Sequence, residues 1–276
     1  MKKFFAALVS VLSMSSYAQS YMVLNNGIVI TTAKDGSAYD LSNFALPKDI
    51  QFVGGQFYVH NNKLVTVNEG GLLFVTDVKI KEIDGKGINY LIENKELTTI
   101  SSQGIVTKLK NDAFKKAEKF GGTFFITNVD EKKKLADLYT VGANGLYTKI
   151  DSNIVNASDI SLLGGNYFFV KGVPYTVAKD GLVWVKSDFS VPSVKHLGGN
   201  FFIDSTDALY TVADKGYLII PTDLPVEFKI ANVVKVGSNY MLDNENRLFT
   251  VDENGNVFYK SFAEHDLKKV KILSTK

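Results

Sequence analysis

One sentence, spelled repeatedly, constrains this chain more than any single motif. "GGNYFFVKGVPYTVAKDGLVWVKS" from Gly164 returns as "GGNFFIDSTDALYTVADKGYLII" from Gly198 and as "GSNYMLDNENRLFTVDENGNVFYKS" from Gly237. Self-similarity at a period of roughly 20 to 50 residues marks a repeat architecture. The anchor is a Thr followed five positions later by Gly, and it occurs seven times: Thr31 and Gly36, Thr66 and Gly71, Thr99 and Gly104, Thr140 and Gly145, Thr176 and Gly181, Thr211 and Gly216, Thr250 and Gly255. Successive Thr residues lie 35, 33, 41, 36, 35 and 39 positions apart, so length varies in the connections while the unit stays constant. Upstream of each Thr an aromatic opens a short apolar run, at Tyr21, Phe57, Tyr90, Phe124, Tyr167, Phe201 and Tyr240. Six of these have Gly three positions earlier, at Gly54, Gly87, Gly121, Gly164, Gly198 and Gly237.

Each unit reads as four strands: the aromatic run, the Thr run, a run after the Gly such as "LVWVKS", and the run before the next Gly pair. Between the second and third, "KDG", "ANG", "DKG" and "ENG" supply the positive φ of a tight hairpin, so these strands pair antiparallel. Continuous apolar stretches such as "YFFV" suit strands covered on both faces. Helical periodicity is weak throughout, and "DAFKKAEKF" from Asp112 reads as an elaborated loop and strand. Four antiparallel strands in a unit of about 36 residues, repeated seven times, predict an all-β fold, a seven-bladed β-propeller. A β-solenoid would use shorter coils with caps, and a pair of sandwiches gives no reason for equal copies. The final "VKILST" from Val270 matches "VKHLGG" from Val194, while the aromatic pattern opens at Tyr21. The expectation is a ring over 19–276 that closes by blade packing, with no strand exchanged between the termini.

The doubled glycines after apolar runs, "FVGG", "LLGG" and "HLGG", resemble kelch repeats, and the "TVxxxG" hairpin is similar to repeats of the chromosome-condensation-regulator type. The resemblance covers Tyr21 to the end and implies the propeller fold. The chain departs from both patterns, since the kelch Trp is missing and these units are shorter than those of the regulator type. No functional residue is carried over from either.

The first residues, "MKKFFAALVSVLSMSSYAQS", have two lysines, an apolar run from Phe4 to Leu12 and small residues at Ser16 and Ala18, the form of a cleaved secretory signal over 1–18. That run is far short of the roughly 20 apolar residues that span a bilayer. No Cys is present for lipid attachment, disulfides or thiolate metal sites. The expected location is periplasmic or secreted, without a membrane anchor after cleavage. Removing Lys2 and Lys3 from the 31 bases leaves 29 against 29 acids. A neutral chain lacks the basic footprint of a nucleic-acid binder. The single Arg, Arg247, rules out a site of several arginines for phosphate or carboxylate.

Three recurring sets could carry function. The Thr ring suits hydrogen bonds within or between blades, and the aromatic ring suits the wedge between them. The third set precedes each aromatic: Ser20, Gln56, Asn89, Thr123, Asn166, Asn200 and Asn239 are all uncharged hydrogen-bonding residues. Were the aromatic strand innermost, these would ring one mouth of the central channel as a ligand site. The competing reading is that they bond backbone near a Gly-rich turn. Catalytic constellations are thin. His60, His196 and His265 sit at nonequivalent places, so neither a metal site nor a catalytic residue is assigned and no cofactor is expected. Asp204 with Asp207, and Asp243 with Glu245, lie where turns are expected and lack calcium-loop spacing.

One asymmetry breaks the repeat. The loop Thr127 to Asp137, with Asp130, Glu131, Lys132, Lys133 and Lys134 at its centre, is longer than its counterparts, and "DSNIVNASD" follows from Asp151. Function concentrates on loops carried by a rigid scaffold. The reading is an exported, monomeric, non-enzymatic scaffold for a protein or glycan partner. The alternative is a glycan-active hydrolase or lyase built from loop carboxylates.

Overall fold

The structure, a computed structural model, describes residues 21–261 and 270–272 apart from 25–28, 33–34, 41–50, 55–56, 68–72, 81, 131, 134, 151–155, 183, 214 and 238. The signal segment 1–18, Ser20, Gln56, Glu131, Lys134 and His265 therefore lie outside the described residues. What is described is all-β apart from three short 3-10 turns. Its strands form seven four-stranded antiparallel sheets. In chain order, sheet 1 joins 270–272 to 21–40, and sheets 2 to 7 occupy 51–79, 83–109, 117–150, 160–186, 195–219 and 233–260.

In every sheet the strand order is the run before the Gly, the aromatic run, the Thr run and the run after the turn. Two expectations are corrected here. The run before the Gly pair belongs to the sheet of the aromatic that follows it, so the aromatic strand is never at an edge and cannot be innermost. Sheet 1 also takes its first strand, Val270–Ile272, from the far end of the chain, pairing it antiparallel with Tyr21–Leu24. A strand is thus shared between the termini after all. The physical reason is the row of unpaired N–H and C=O groups that an uncovered Tyr21–Leu24 edge would present.

The repeat residues explain one another. In register, the aromatic faces the Thr directly: Tyr90 pairs with Thr99, Phe124 with Thr140, Tyr167 with Thr176 and Tyr240 with Thr250. One position further along, the pairs Phe125–Tyr139, Phe168–Tyr175 and Phe202–Tyr210 stack, with centroids 5.1, 5.1 and 4.8 Å apart. The Thr hydroxyls then leave their own sheets. Thr66 Oγ1 donates to Gly104 O at 3.0 Å and Thr99 Oγ1 to Gly145 O at 2.7 Å, while Thr176 and Thr250 donate to Gly216 O and Gly36 O. Each acceptor is the turn glycine of the next sheet. That glycine holds φ between 75 and 89° in the six described turns, and its N–H returns to the first turn residue, as in Gly145 N to Gly142 O at 2.9 Å. This is a type I turn closed by a left-handed glycine.

The aromatics alternate strictly between Tyr and Phe along the chain, and the two kinds pack differently. Tyr90 and Tyr167 are fully buried and donate their hydroxyls to Phe124 O and Phe201 O of the following sheet. Their rings lie across the glycine three positions back, where an added Cβ would meet the ring at 2.0 Å for Gly87 and 2.1 Å for Gly164 and Gly237. In the Phe sheets 4 and 6 the same glycine faces the next sheet instead, with Leu163 Cβ 2.7 Å from a Cβ built on Gly121 and Val236 Cβ 3.1 Å from one built on Gly198. Apolar clusters fill the seams between sheets 2 and 3, 3 and 4, 4 and 5, 5 and 6, and 6 and 7. The core therefore lies between sheets stacked face to face, a propeller-like arrangement.

Candidate functional site

Because consecutive strands run antiparallel, the Gly-rich turn and the Thr–Gly turn of each sheet lie at one end, and the second-to-third-strand turn lies at the other. The polar residues preceding the aromatics are at the first end. Their backbone carbonyls accept from the residue after the Thr, as in Ile100 N to Asn89 O at 2.9 Å and Val251 N to Asn239 O at 2.9 Å. Their side chains reach the neighbouring sheet. Asn89 Nδ2 donates to Val141 O and Gly142 O at 2.9 and 3.0 Å, and Thr123 Oγ1 donates to Gly165 O at 3.1 Å. Asn200 Oδ1 accepts the Asn166 N–H at 2.7 Å, and Asn239 Oδ1 accepts the Thr32 hydroxyl at 2.6 Å. Asn89, Asn200 and Asn239 are buried, while Thr123 and Asn166 are partly exposed. Among the described members, the side chains of Asn89, Thr123, Asn200 and Asn239 stitch sheets together, and sequence could give their hydrogen-bonding character but not its direction.

The other end carries the asymmetry. In sheet 4 the second and third strands, Phe124–Asp130 and Leu135–Val141, have seven residues each, against three to five in the corresponding strands elsewhere. Most of the long loop expected over Thr127 to Asp137 is thus an extended hairpin. Its register shifts between Thr127 and Asp130, where Asn128 takes φ of 54° and donates to Asp137 Oδ2 at 2.8 Å. Burial pushes the Asp137 carboxyl up, but hydrogen bonds from Lys149 and Asn128 outweigh it and hold the group below the usual carboxylate range. At the tip, Asp130 Oδ1 accepts the N–H groups of Lys132 and Lys133 at 3.1 and 3.0 Å, leaving both lysines exposed.

Beside this hairpin a cavity of about 280 Å³ is lined by Lys119, Ile126, Val129, Ala136, Ala157, Ser158 and Asp159. Residues 157–159 form a 3-10 turn capped by Asn156, whose Oδ1 accepts Ser158 N at 3.1 Å. The two elaborations of the fourth repeat, separate in sequence, therefore meet over one cavity. Lys119, on the first strand of sheet 4, completes it and carried no sequence signal. Asp159 is ion-paired with Lys171 at 2.9 Å. The cavity is near the small end of ligand pockets, which run from about 300 to 1,000 Å³, and suits one side chain or a compact ligand.

The acidic residues considered for chemistry are held in turns. Asp204 Oδ1 accepts Thr206 N and Ala208 N at 2.8 and 3.1 Å. Asp243, fully buried, accepts Glu245 N, Arg247 N and Arg247 Nε at 2.9, 2.8 and 2.7 Å. His60 Nε2 contacts Asn61 Nδ2 at 3.0 Å, and His196 Nδ1 contacts the Tyr167 hydroxyl between sheets 5 and 6. Desolvation holds the His196 imidazole below the usual histidine value. Among the described residues no three metal-binding side chains converge, and no helix is long and apolar enough to cross a membrane.

No protein-family model and no curated protein matches the chain. Among solved structures, PorZ, a bacterial surface component of the type-IX secretion system of Porphyromonas gingivalis, aligns over 88% of this chain and 38% of its own, at 11% identity and a TM-score of 0.35. Virginiamycin B lyase from Staphylococcus aureus aligns over 88% and 95%, at 10% identity and a TM-score of 0.32. The extracellular domain of BT4673 from B. thetaiotaomicron aligns over 91% and 39%, at 13% identity and a TM-score of 0.30. The chain spans about two fifths of PorZ and of the BT4673 domain. Similarity this distant carries nothing about activity.

Proposed function

We propose that this protein is an exported, monomeric, non-enzymatic scaffold, a closed seven-bladed propeller whose fourth sheet presents the docking site for a protein partner. Closure is supported by the contacts of sheet 7 with sheet 1, Thr250 to Gly36 and Asn239 to Thr32, and by the shared terminal strand. Export is supported by the charged, apolar and small-residue sequence of 1–18. The observation that carries the docking site is the convergence of the long hairpin and the 157–159 turn over the cavity beside Val129 and Asp159. A rigid repeat with one elaborated unit is built to hold that unit still.

A hydrolase or lyase reading finds less support. Glycoside hydrolysis takes two carboxyl groups flanking the scissile bond, and the cavity offers Asp159 alone, already paired with Lys171. The test is capture from an envelope extract by residues 19–276, beside a variant in which 130–134 is replaced by an Asn-Gly turn. Partner capture that falls at least tenfold in the variant supports the site. Equal capture by both proteins, or capture of glycan alone, overturns it.

A further inference from the structure

We propose a second docking surface, at the end of the sheets opposite the fourth-sheet hairpin, that accepts a short, uncharged, apolar segment of a partner protein. It consists of Ile105, Leu146, Leu182 and Tyr217. Each follows directly on the left-handed glycine of the Thr–Gly turn, in sheets 3, 4, 5 and 6 respectively. A residue entering an outer strand from a surface turn has no packing reason to be apolar, yet these four are 58, 63, 64 and 59% exposed. The equivalent residues of sheets 7 and 1 are Asn256 and Ser37, so the apolar character stops on that side, while the equivalent residue of sheet 2, Leu72, lies outside the described residues. The turns that carry the four are in contact. Ser102 N donates to Ala143 O at 2.7 Å, Ala143 N donates to Lys179 O at 2.8 Å, and a Cβ on Gly216 would lie 2.9 Å from Ala178 N. They form one arc across four adjacent sheets.

Size and charge choose the occupant. At roughly 100 Å² of exposed side chain each, the four present about 400 Å², within the range at which an apolar patch marks an interaction site. With one such residue per sheet the four form a narrow strip, a shape that suits a short extended segment better than the broad face of a second copy. The turns of sheets 3 and 4, 101–105 and 142–146, hold no charged residue, and those of sheets 5 and 6 hold one Lys and one Asp each. The Lys and Asp of each of those two turns cancel, so the arc has no net charge and the complementary segment has none either. Exposed Gln103, Asn144, Asp180 and Lys215 stand at the turn tips beside the apolar side chains. A flat bilayer would have to strip water from all of them, whereas a peptide can fill the apolar steps and hydrogen-bond to the tips with its backbone.

The probe is a phage-displayed library of random dodecapeptides, selected on residues 19–276 and titrated afterwards as labelled synthetic peptides. The comparison proteins are the hairpin-tip variant and the variant Ile105→Ser, Leu146→Ser, Leu182→Ser, Tyr217→Ser, whose unchanged melting curve is checked first; single substitutions replace it if that curve shifts. Enriched peptides should be uncharged and apolar, bind the hairpin-tip variant like wild type, and lose at least tenfold in affinity to the serine variant. Four outcomes overturn the proposal: no enrichment, enrichment of charged peptides, equal binding to the serine variant, or loss only in the hairpin-tip variant. Arc-dependent sedimentation with phosphatidylcholine vesicles, or an arc-dependent dimer in light scattering, overturns it in favour of a bilayer or a second copy. Because the two variants alter opposite ends, failure here leaves the fourth-sheet reading standing, and the reverse.

Discussion

A single hydroxyl per repeat carries much of the order between sheets. Thr99 is fully buried and its hydroxyl bonds Gly145 O at 2.7 Å, so Thr99→Val keeps the shape and strands a carbonyl. We expect a loss of about 1–3 kcal/mol in urea unfolding, the usual cost of an unsatisfied buried group. Gly122 is less forgiving: at φ of +54°, an added Cβ would lie 1.5 Å from Gly164 O. Gly122→Ala should therefore destabilise more than Thr99→Val in the same assay, because backbone must move to admit it. His196 gives a pH dependence of known sign. Its folded-state pKa lies below the usual value near 6.5 because burial disfavours the cation. The unfolded chain takes up a proton first as pH falls, so this contribution is complete above about 6.5 and is lost as pH drops from there toward the folded value. His196→Gln should flatten the fall in melting temperature below about pH 6.5; an unchanged slope would remove His196 as its cause.

At the scale of strands, the repeat was legible because its residues recur in register: each aromatic faces its Thr, and each turn needs its glycine where φ turns positive. The grouping of strands was not legible. Four strands repeated around a cycle read the same from any starting point, and only the hydrogen bonds between Gln51–Gly54 and Phe57–His60, and their equivalents, assign the first strand. The polar ring was half legible for a related reason, since sequence shows that Asn89 and Asn239 can bond but not that they bond across a seam. The cavity was half legible: the long hairpin and the segment from Asp151 stood out, while Lys119 did not. The terminal strand offers the sharpest test at this scale. Removing 270–276 uncovers the edge of Tyr21–Leu24 at Val23 and Leu24, the residues that pair with Ile272 and Val270. The truncated protein should melt lower and aggregate at concentrations where the full chain does not, as read by light scattering; identical melting and mass would mean that the pairing contributes nothing.

Whether the seven sheets act as one body depends on the seam between the last and the first. In an open stack of repeats stability is a sum of neighbour interfaces, and the ends fray. In a closed ring no interface is terminal, so the bond from Thr250 to Gly36 across that seam should be worth as much as the bond from Thr99 to Gly145 within the stack. Both hydroxyls are fully buried and both bond the carbonyl of a turn glycine, so Val at either place is the same chemical change. Equal losses for Thr250→Val and Thr99→Val in urea unfolding, each with a single transition of unchanged slope, would establish a cooperative ring. An open stack would show Thr250→Val near neutral in the main transition, or an early transition confined to sheets 1 and 7. The outcome bears on function as well, because a ring that unfolds only as a whole can hold the fourth-sheet hairpin and the apolar arc in fixed relation. Two surfaces at opposite ends of one rigid body can then bridge two partners.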